Sequence, residues 1–161
     1  MATRKEVSAA TGAPTIPATA GLGFYLREAY RAFSRDFHAR LARHGITHAQ
    51  WVLLWFLSQA GSLTPLELSR RAGIQKASAT SVIDALKKRR LIRGDQDSVD
   101  RRKVNLHLTP SGLDLMRDLL VCAAEANANA RDGFSDKELE TLLRLLRGVT
   151  ANLESKGPGA V

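Results

Sequence analysis

Two short stretches of this sequence carry side chains suited to gripping a polyanion. The first, QKASATS at residues 75–81, presents Gln75, Lys76, Ser78, Thr80 and Ser81. Amide, amine and hydroxyl groups are the types that read base edges in a DNA major groove. It leads into the basic run Lys87, Lys88, Arg89 and Arg90, whose cations suit phosphates, and phosphate contacts fix position on a duplex rather than read its sequence. The second stretch is DRR, Asp100, Arg101 and Arg102. Along an extended strand alternate residues share a face, so Asp100 and Arg102 fall on one side and Arg101 on the other. A carboxylate beside a guanidinium orients it through a charge-assisted hydrogen bond, which makes Arg102 the braced arginine. Such a tip fits a minor groove, where arginines sense width and potential. The plainer alternatives are a solvated helix face whose cations sit near the C-terminal dipole and an exposed loop whose ion pairs add little stability.

Both stretches need elements to hold them. Residues 22–43 repeat apolar side chains at helical spacing (Leu22, Leu26, Ala29, Phe33, Phe37, Leu41), and Gly45 offers a left-handed stop. Thr47 can cap a second helix running to about Ala60. In TPLE, Thr64 is an N-cap, Pro65 the first helical position and Glu67 the closing acid of a capping box. That short third helix reaches Ala72, Gly73 turns the chain, and a fourth helix follows over residues 76–90 with Ala79, Val82, Ile83 and Leu86 on one face. Two helices across a glycine turn outline a helix-turn-helix. LIR and KVNLHL then pair as strands across a loop at residues 94–102, with Val104, Leu106 and Leu108 anchoring the hairpin to the helices. Thr109-Pro110 opens a fifth helix over residues 111–131, and a leucine-rich sixth spans residues 135–153. The expected fold is mainly α with one β-hairpin wing, in the order α-α-α-α-β-β-α-α.

Charge singles out the same region. The chain of 161 residues has a net charge of +8, yet residues 70–103 alone hold eleven basic and four acidic side chains. Nearly all the excess sits in about a fifth of the sequence, which makes it a patch suited to nucleic acid. No apolar run approaches the roughly 20 residues that span a bilayer, and no signal-peptide pattern opens the chain, so the expectation is a cytoplasmic protein with no membrane partner. Catalysis lacks a phosphate-binding glycine loop, an H-E-x-x-H helix and a nucleophile elbow; an enzyme is not expected, nor is a cofactor. His44 and His48 are four apart and His38 lies six before, but Gly45 and Thr47 interrupt the helix that chelation at that spacing requires, so no metal is expected. Cys122, the single cysteine, has no disulfide partner and sits among alanines, where a buried, inert thiol is the expectation.

The segment DRRKVNLHLTPSG resembles the wing signature of the multiple antibiotic resistance regulator (MarR) family. That signature runs Asp, any residue, Arg, five residues, Leu-Thr, two residues, Gly, and Asp100, Arg102, Leu108, Thr109 and Gly112 fall in place. LSRRAGIQKASATSVIDALKKRRLIRG resembles the family's helix-turn-helix, and the likeness covers roughly residues 22–153. One departure is Arg90, where members often carry glycine between recognition helix and wing. The resemblance implies a winged-helix transcriptional regulator, usually a repressor released from DNA by a small molecule. It implies that Gln75, Lys76, Ser78, Thr80 and Ser81 meet the major groove of double-stranded DNA, Lys87 and Lys88 its phosphates, and Arg101 and Arg102 the minor groove, with Asp100 orienting the wing. It implies a homodimer formed through the first, fifth and sixth helices, binding a pseudo-palindromic operator with half-sites about one helical turn apart.

Eight of the nine aromatic residues lie on the first two helices. Family effectors commonly bind between these helices and the fifth, so Tyr30, Phe33, Phe37, Trp51 and Trp55 with Arg40 would suit an aromatic carboxylate or its coenzyme A thioester; a plain aromatic core is the alternative. The chain divides into an N-terminal arm at 1–20, N-terminal helices for dimerisation and the ligand wall at 21–60, the winged helix-turn-helix at 61–109, C-terminal dimerisation helices at 110–155 and a tail at 156–161. Two other functions fit the same charge patch: a nonspecific architectural DNA-binding protein, and a winged helix that meets an acidic protein partner.

Overall fold

The computed structural model describes residues 21–96 and 103–155. Its elements are α1 (Leu22–Arg43), α2 (His48–Ala60), α3 (Pro65–Arg71), α4 (Lys76–Lys88), β1 (Ile92–Gln96), β2 (Val104–Leu108), α5 (Pro110–Arg131) and α6 (Asp136–Ser155). Local chemistry sets most of the boundaries. Thr47 and Gln50 form a reciprocal capping box, with Gln50 N–H donating to Thr47 Oγ1 at 3.2 Å and Thr47 N–H donating to Gln50 Oε1 at 2.9 Å. Thr64 and Glu67 do the same at α3, and Ser135 with Glu138 opens α6. Each satisfies backbone donors that the first helical turn leaves unpaired.

Helix α4 is shorter than the expected 76–90, ending at Lys88. The cause is a Schellman motif: Leu91 N–H donates to Leu86 O at 3.0 Å and Arg90 N–H to Lys87 O at 2.8 Å. That motif requires a left-handed residue, and Arg90 supplies it with φ +55°, the sole positive-φ non-glycine among the described residues. The same motif closes α1 and α3, where Gly45 (φ +64°) and Gly73 (φ +63°) occupy the left-handed position.

Strands β1 and β2 pair antiparallel from Ile92↔Leu108 to Gln96↔Val104. The pairing extends through Gly94 to Gln96, residues expected in the loop. Leu63 adds an isolated bridge to Leu106, its N–H donating to Leu106 O at 3.2 Å and its carbonyl accepting Leu106 N–H at 2.9 Å. This ties the α2–α3 connection to the base of the wing.

One apolar cluster runs through the chain from Phe37 and Leu41 on α1 to Leu119, Cys122 and Ala126 on α5. Leu41, Leu53, Leu54, Leu57, Leu68, Leu86, Leu106 and Leu119 are fully buried, and each such side chain contributes about 1.5–3 kcal/mol relative to exposure. Of the three wing residues expected to anchor the hairpin, Leu106 is buried and Leu108 half-buried, but Val104 is exposed. Val104 has the right face and the wrong depth: it stands at the outer end of β2 opposite Gln96, with its Cγ1 over Gly94.

Helix α5 packs against α1 and α2. Helix α6 buries none of its residues, although Leu142, Leu143, Leu145, Leu146 and Leu153 are all exposed along it. An apolar groove of about 440 Å³ lies between Leu26 of α1 and Leu146, Val149, Thr150, Leu153 and Glu154 of α6.

Candidate nucleic-acid interface

The α4 sequence turns Ala79, Ile83 and Leu86 into the core at helical spacing. That choice leaves Gln75, Lys76, Ser78, Thr80 and Ser81 exposed together around its first two turns, and Lys87 and Lys88 exposed at its end. Thr80 donates its hydroxyl hydrogen to Lys76 O at 3.0 Å, so its oxygen remains available as an acceptor. Gln75 is the N-cap residue but makes no side-chain cap; its amide therefore stays outside the helix's own hydrogen bonding. Arg70 and Arg71, both exposed at the end of α3, extend the positive face.

The four-residue basic run divides in two. All four are exposed, but Arg89 also reaches across the surface to the α1–α2 linker. Its Nη1 donates to Gly45 O at 2.6 Å and its Nη2 to His44 O at 3.2 Å. Arg90, next in line, is held through its carbonyl, which accepts Thr109 Oγ1–H at 2.6 Å.

Thr109 and Gly112 hold the join between recognition helix, wing and α5. Thr109 Oγ1 accepts Gly112 N–H at 3.0 Å as the α5 N-cap, and Thr109 N–H donates to Leu91 O at 3.0 Å. At Gly112 a Cβ would stand 2.0 Å from Leu91 O, a clash with backbone rather than with a movable side chain. Two residues of the wing signature thus serve geometry. Asp100, Arg101 and Arg102 lie outside the described residues. At the described part of the wing, Asp95 pairs with Arg93 at 3.2 Å and approaches His107 at 3.8 Å.

Away from this face, Phe33, Phe37, Trp51 and Trp55 form a run of rings. Phe37 meets Trp51 edge-on at 5.4 Å between centroids, Trp51 stacks on Trp55 at 5.7 Å, and Phe33 lies 6.0 Å from Phe37. Tyr30 is exposed on α1. Arg40 is committed elsewhere: its Nε donates to Asp36 at 2.9 Å, and its Nη1 meets Glu125 of α5. The hydrogen bond to Asp36, with both carboxylate charges nearby, holds the guanidinium above its usual range against the opposing effect of burial.

The linker also gathers histidines. His38 and His48 have ring centroids 4.8 Å apart, and burial together with the nearby His38 holds His48 below the usual imidazole range. His44 Nε2 lies 3.5 Å from the Sγ of the buried Cys122. Among the described residues no three such side chains cluster as metal ligands would, and no helix is long and apolar enough to cross a membrane.

Sequence reasoning misses Arg89's bonds to the α1–α2 linker and the Thr109–Arg90 bond. Arg89 is hidden in a run of like charges, and its acceptors are backbone carbonyls, which leave no side-chain signature.

Comparison with known proteins agrees with this geometry. The family model described as MarR family matches residues 46–104, which contain α2 to the start of β2. The HTH-type transcriptional repressor NicR of Pseudomonas putida is 29% identical over 139 residues, spanning 86% of this chain and 88% of NicR. Among solved structures, Bordetella bronchiseptica BpsR, described in terms of regulation of its DNA binding by 6-hydroxynicotinic acid, superposes with a TM-score of 0.71 at 29% identity, covering 80% of this chain and 92% of that one. Wild-type MarR from E. coli shares the fold at a TM-score of 0.71 and 22% identity, over 80% of this chain and 95% of its own. With six helices and an antiparallel hairpin among the described residues, and one face of α4 exposed, this chain belongs to the MarR family of transcriptional regulators.

Proposed function

We propose that the protein acts as a homodimeric repressor that reads a pseudo-palindromic operator through α4 and is released by a small aromatic acid. The observation that carries the DNA reading is the exposed set Gln75, Lys76, Ser78, Thr80 and Ser81, backed by Lys87 and Lys88, on a helix whose other face is core. Amides and hydroxyls discriminate base pairs in the major groove, and the lysines neutralise phosphates. Arg101 and Arg102 belong to the minor groove in this reading, with Asp100 bracing Arg102.

The dimer reading rests on α6. A helix with five exposed leucines and no buried residue exposes more apolar surface than a monomer tolerates. A second copy covering it, together with the Leu26 side of α1, would set two α4 helices about one duplex turn apart.

For the effector, the rings of Phe33, Trp51 and Trp55, backed by the buried Phe37, offer an apolar wall, with Tyr30 at its outer edge. Arg40 already holds Asp36 and Glu125, so an incoming carboxylate exchanges with one of them. Exchange with Glu125 would loosen the tie between α1 and α5, giving bound and unbound protein different preferences for the DNA-competent state, as any effector requires. The 6-hydroxynicotinic acid regulation named for BpsR points to heteroaromatic acids within this class.

Fluorescence anisotropy with the DNA upstream of the protein's own gene and with a scrambled duplex tests the reading. Tighter binding to the native sequence is expected, with Lys76→Ala and Ser78→Ala each reducing the preference. Equal affinity for both duplexes would instead make this a nonspecific DNA-binding protein. Absence of binding to either would leave the acidic-protein partner. Adding 6-hydroxynicotinate should weaken the specific complex; no effect from it or from benzoates would remove the aromatic-acid class.

A further inference from the structure

The recognition helix has two attachments to the layer that the proposed function assigns to dimer and ligand. One runs through Thr109, which bonds the Arg90 and Leu91 carbonyls at the N-cap of α5. The other is Arg89. Its guanidinium spans two successive carbonyls, those of His44 and Gly45, in the linker where α1 ends and α2 has not begun. These carbonyls belong to the Schellman turn of α1 but accept none of its bonds, which end on Leu41 and Ala42, so the guanidinium pairs groups that the turn leaves over. Helix α4 itself packs on α2, α3 and β1. Arg89 therefore carries the link from its C-terminal end to the end of α1.

Charge alone would class Arg89 with Lys87 and Lys88 as a phosphate contact. The geometry assigns it differently: we propose that Arg89 is a positioning residue, which sets the seating of the recognition helix in the major groove by fixing its end to the α1–α2 linker. A planar, forked donor suits two acceptors at once, and a lysine ammonium cannot reproduce that bracket. The linker it grips is also where His44 approaches Cys122 of α5 and where His48 begins α2 against the edge of Phe37. A shift of the α1 end on ligand binding is thereby passed to α4 without contact between ligand and DNA-reading residues. This inference rests on the reading of α4 as the DNA-reading helix.

The test compares Arg89→Gln with Lys88→Gln, its neighbour, in binding to native and scrambled duplexes over a salt series. Lys88→Gln should lower the slope of log affinity against log salt by about one and keep the sequence preference, as removal of one phosphate partner does. Arg89→Gln should leave the slope as in the wild type and reduce the native-over-scrambled preference by about tenfold, the scale of one mismatched base pair. Arg89→Lys, which keeps the charge, should show the same fall in preference. If Arg89→Gln follows the Lys88→Gln pattern, Arg89 is a phosphate contact and the inference is wrong. If both Arg89 variants keep slope and preference, it is equally wrong. A wild type with no preference removes the operator reading, and the inference falls with it, which separates the two failures. Thermal unfolding accompanies each variant. Should Arg89→Gln unfold, the comparison is made in an Arg90→Gly background, which relieves the left-handed strain next to it.

Discussion

Arg90 occupies a backbone conformation that costs an ordinary residue energy. At φ +55° it closes the Schellman motif of α4, where α1 and α3 use Gly45 and Gly73. The left-handed region costs a residue bearing a Cβ about 1–2 kcal/mol. Glycine removes that strain but gains freedom in the unfolded chain, which offsets roughly 0.5–1 kcal/mol. Arg90→Gly should therefore stabilise each protomer by about 0.5–1 kcal/mol, or roughly 1–4 °C in midpoint for a domain of this size. Thermal unfolding by circular dichroism, at one fixed protomer concentration because a dimer's midpoint depends on it, reads the change. Arg90→Ala is the control: it removes the charge and keeps the Cβ, so it should gain little. A midpoint lowered by Arg90→Gly, or raised equally by Arg90→Ala, would refute strain as the cause and place the effect in the side chain.

Three other expectations follow from the geometry. Gly112→Ala places a Cβ 2.0 Å from the Leu91 carbonyl oxygen and should cost about 3 kcal/mol or more, measured by urea unfolding; a decrease under about 1 kcal/mol would mean that the α5 start moves freely from the wing. His48 favours its neutral form in the fold because burial and His38 oppose its charge, while the unfolded chain binds the proton more readily. Stability should then fall as pH drops below the ordinary imidazole value of 6.5, and His48→Gln should flatten that decline in pH-dependent melts; an equally steep decline in the variant counts against it. Leu146→Glu puts a charge on the exposed apolar face of α6 and should shift sedimentation velocity from dimer to monomer while the far-ultraviolet helical signal of α1–α5 persists; an unchanged dimer would move the interface elsewhere.

What the sequence revealed and what it hid divide by the reach of the interaction. Thr64-Pro65-Glu67 and Thr109-Pro110 announce helix starts because a cap acts over three residues, and both are found where expected. The inward face of α4 follows from spacing alone. Arg89's acceptors lie 44 and 45 residues away, and Arg40's partner Glu125 lies 85 away; no local pattern encodes such pairings. Arg40, marked by its position beside the aromatic rings as an anchor for an acid, is already bonded to two carboxylates. Val104 shows a different shortfall. Alternation assigns a strand residue to a face, but only the packing decides how far along that face the core extends. The wing tip, the most chemically suggestive stretch of the sequence, lies outside the described residues, so Asp100, Arg101 and Arg102 stand on alternation and resemblance.

The Thr109–Gly112 join also limits how this protein can be re-engineered. Thr109 Oγ1 alone touches the end of the α4–β1 turn and the first turn of α5, and Gly112 leaves no clearance above Leu91. A transplanted DNA-reading module cut at the ends of α3 and α4 would sever this three-way contact and leave its carbonyls facing foreign side chains. A graft that keeps residues 89–91 and 109–112 from the same parent, with its acceptor loop at 44–45, preserves the angle at which the helix is presented. Swapping specificity in this scaffold is therefore a matter of changing the exposed face of α4 over its N-terminal turns while leaving its C-terminal end untouched.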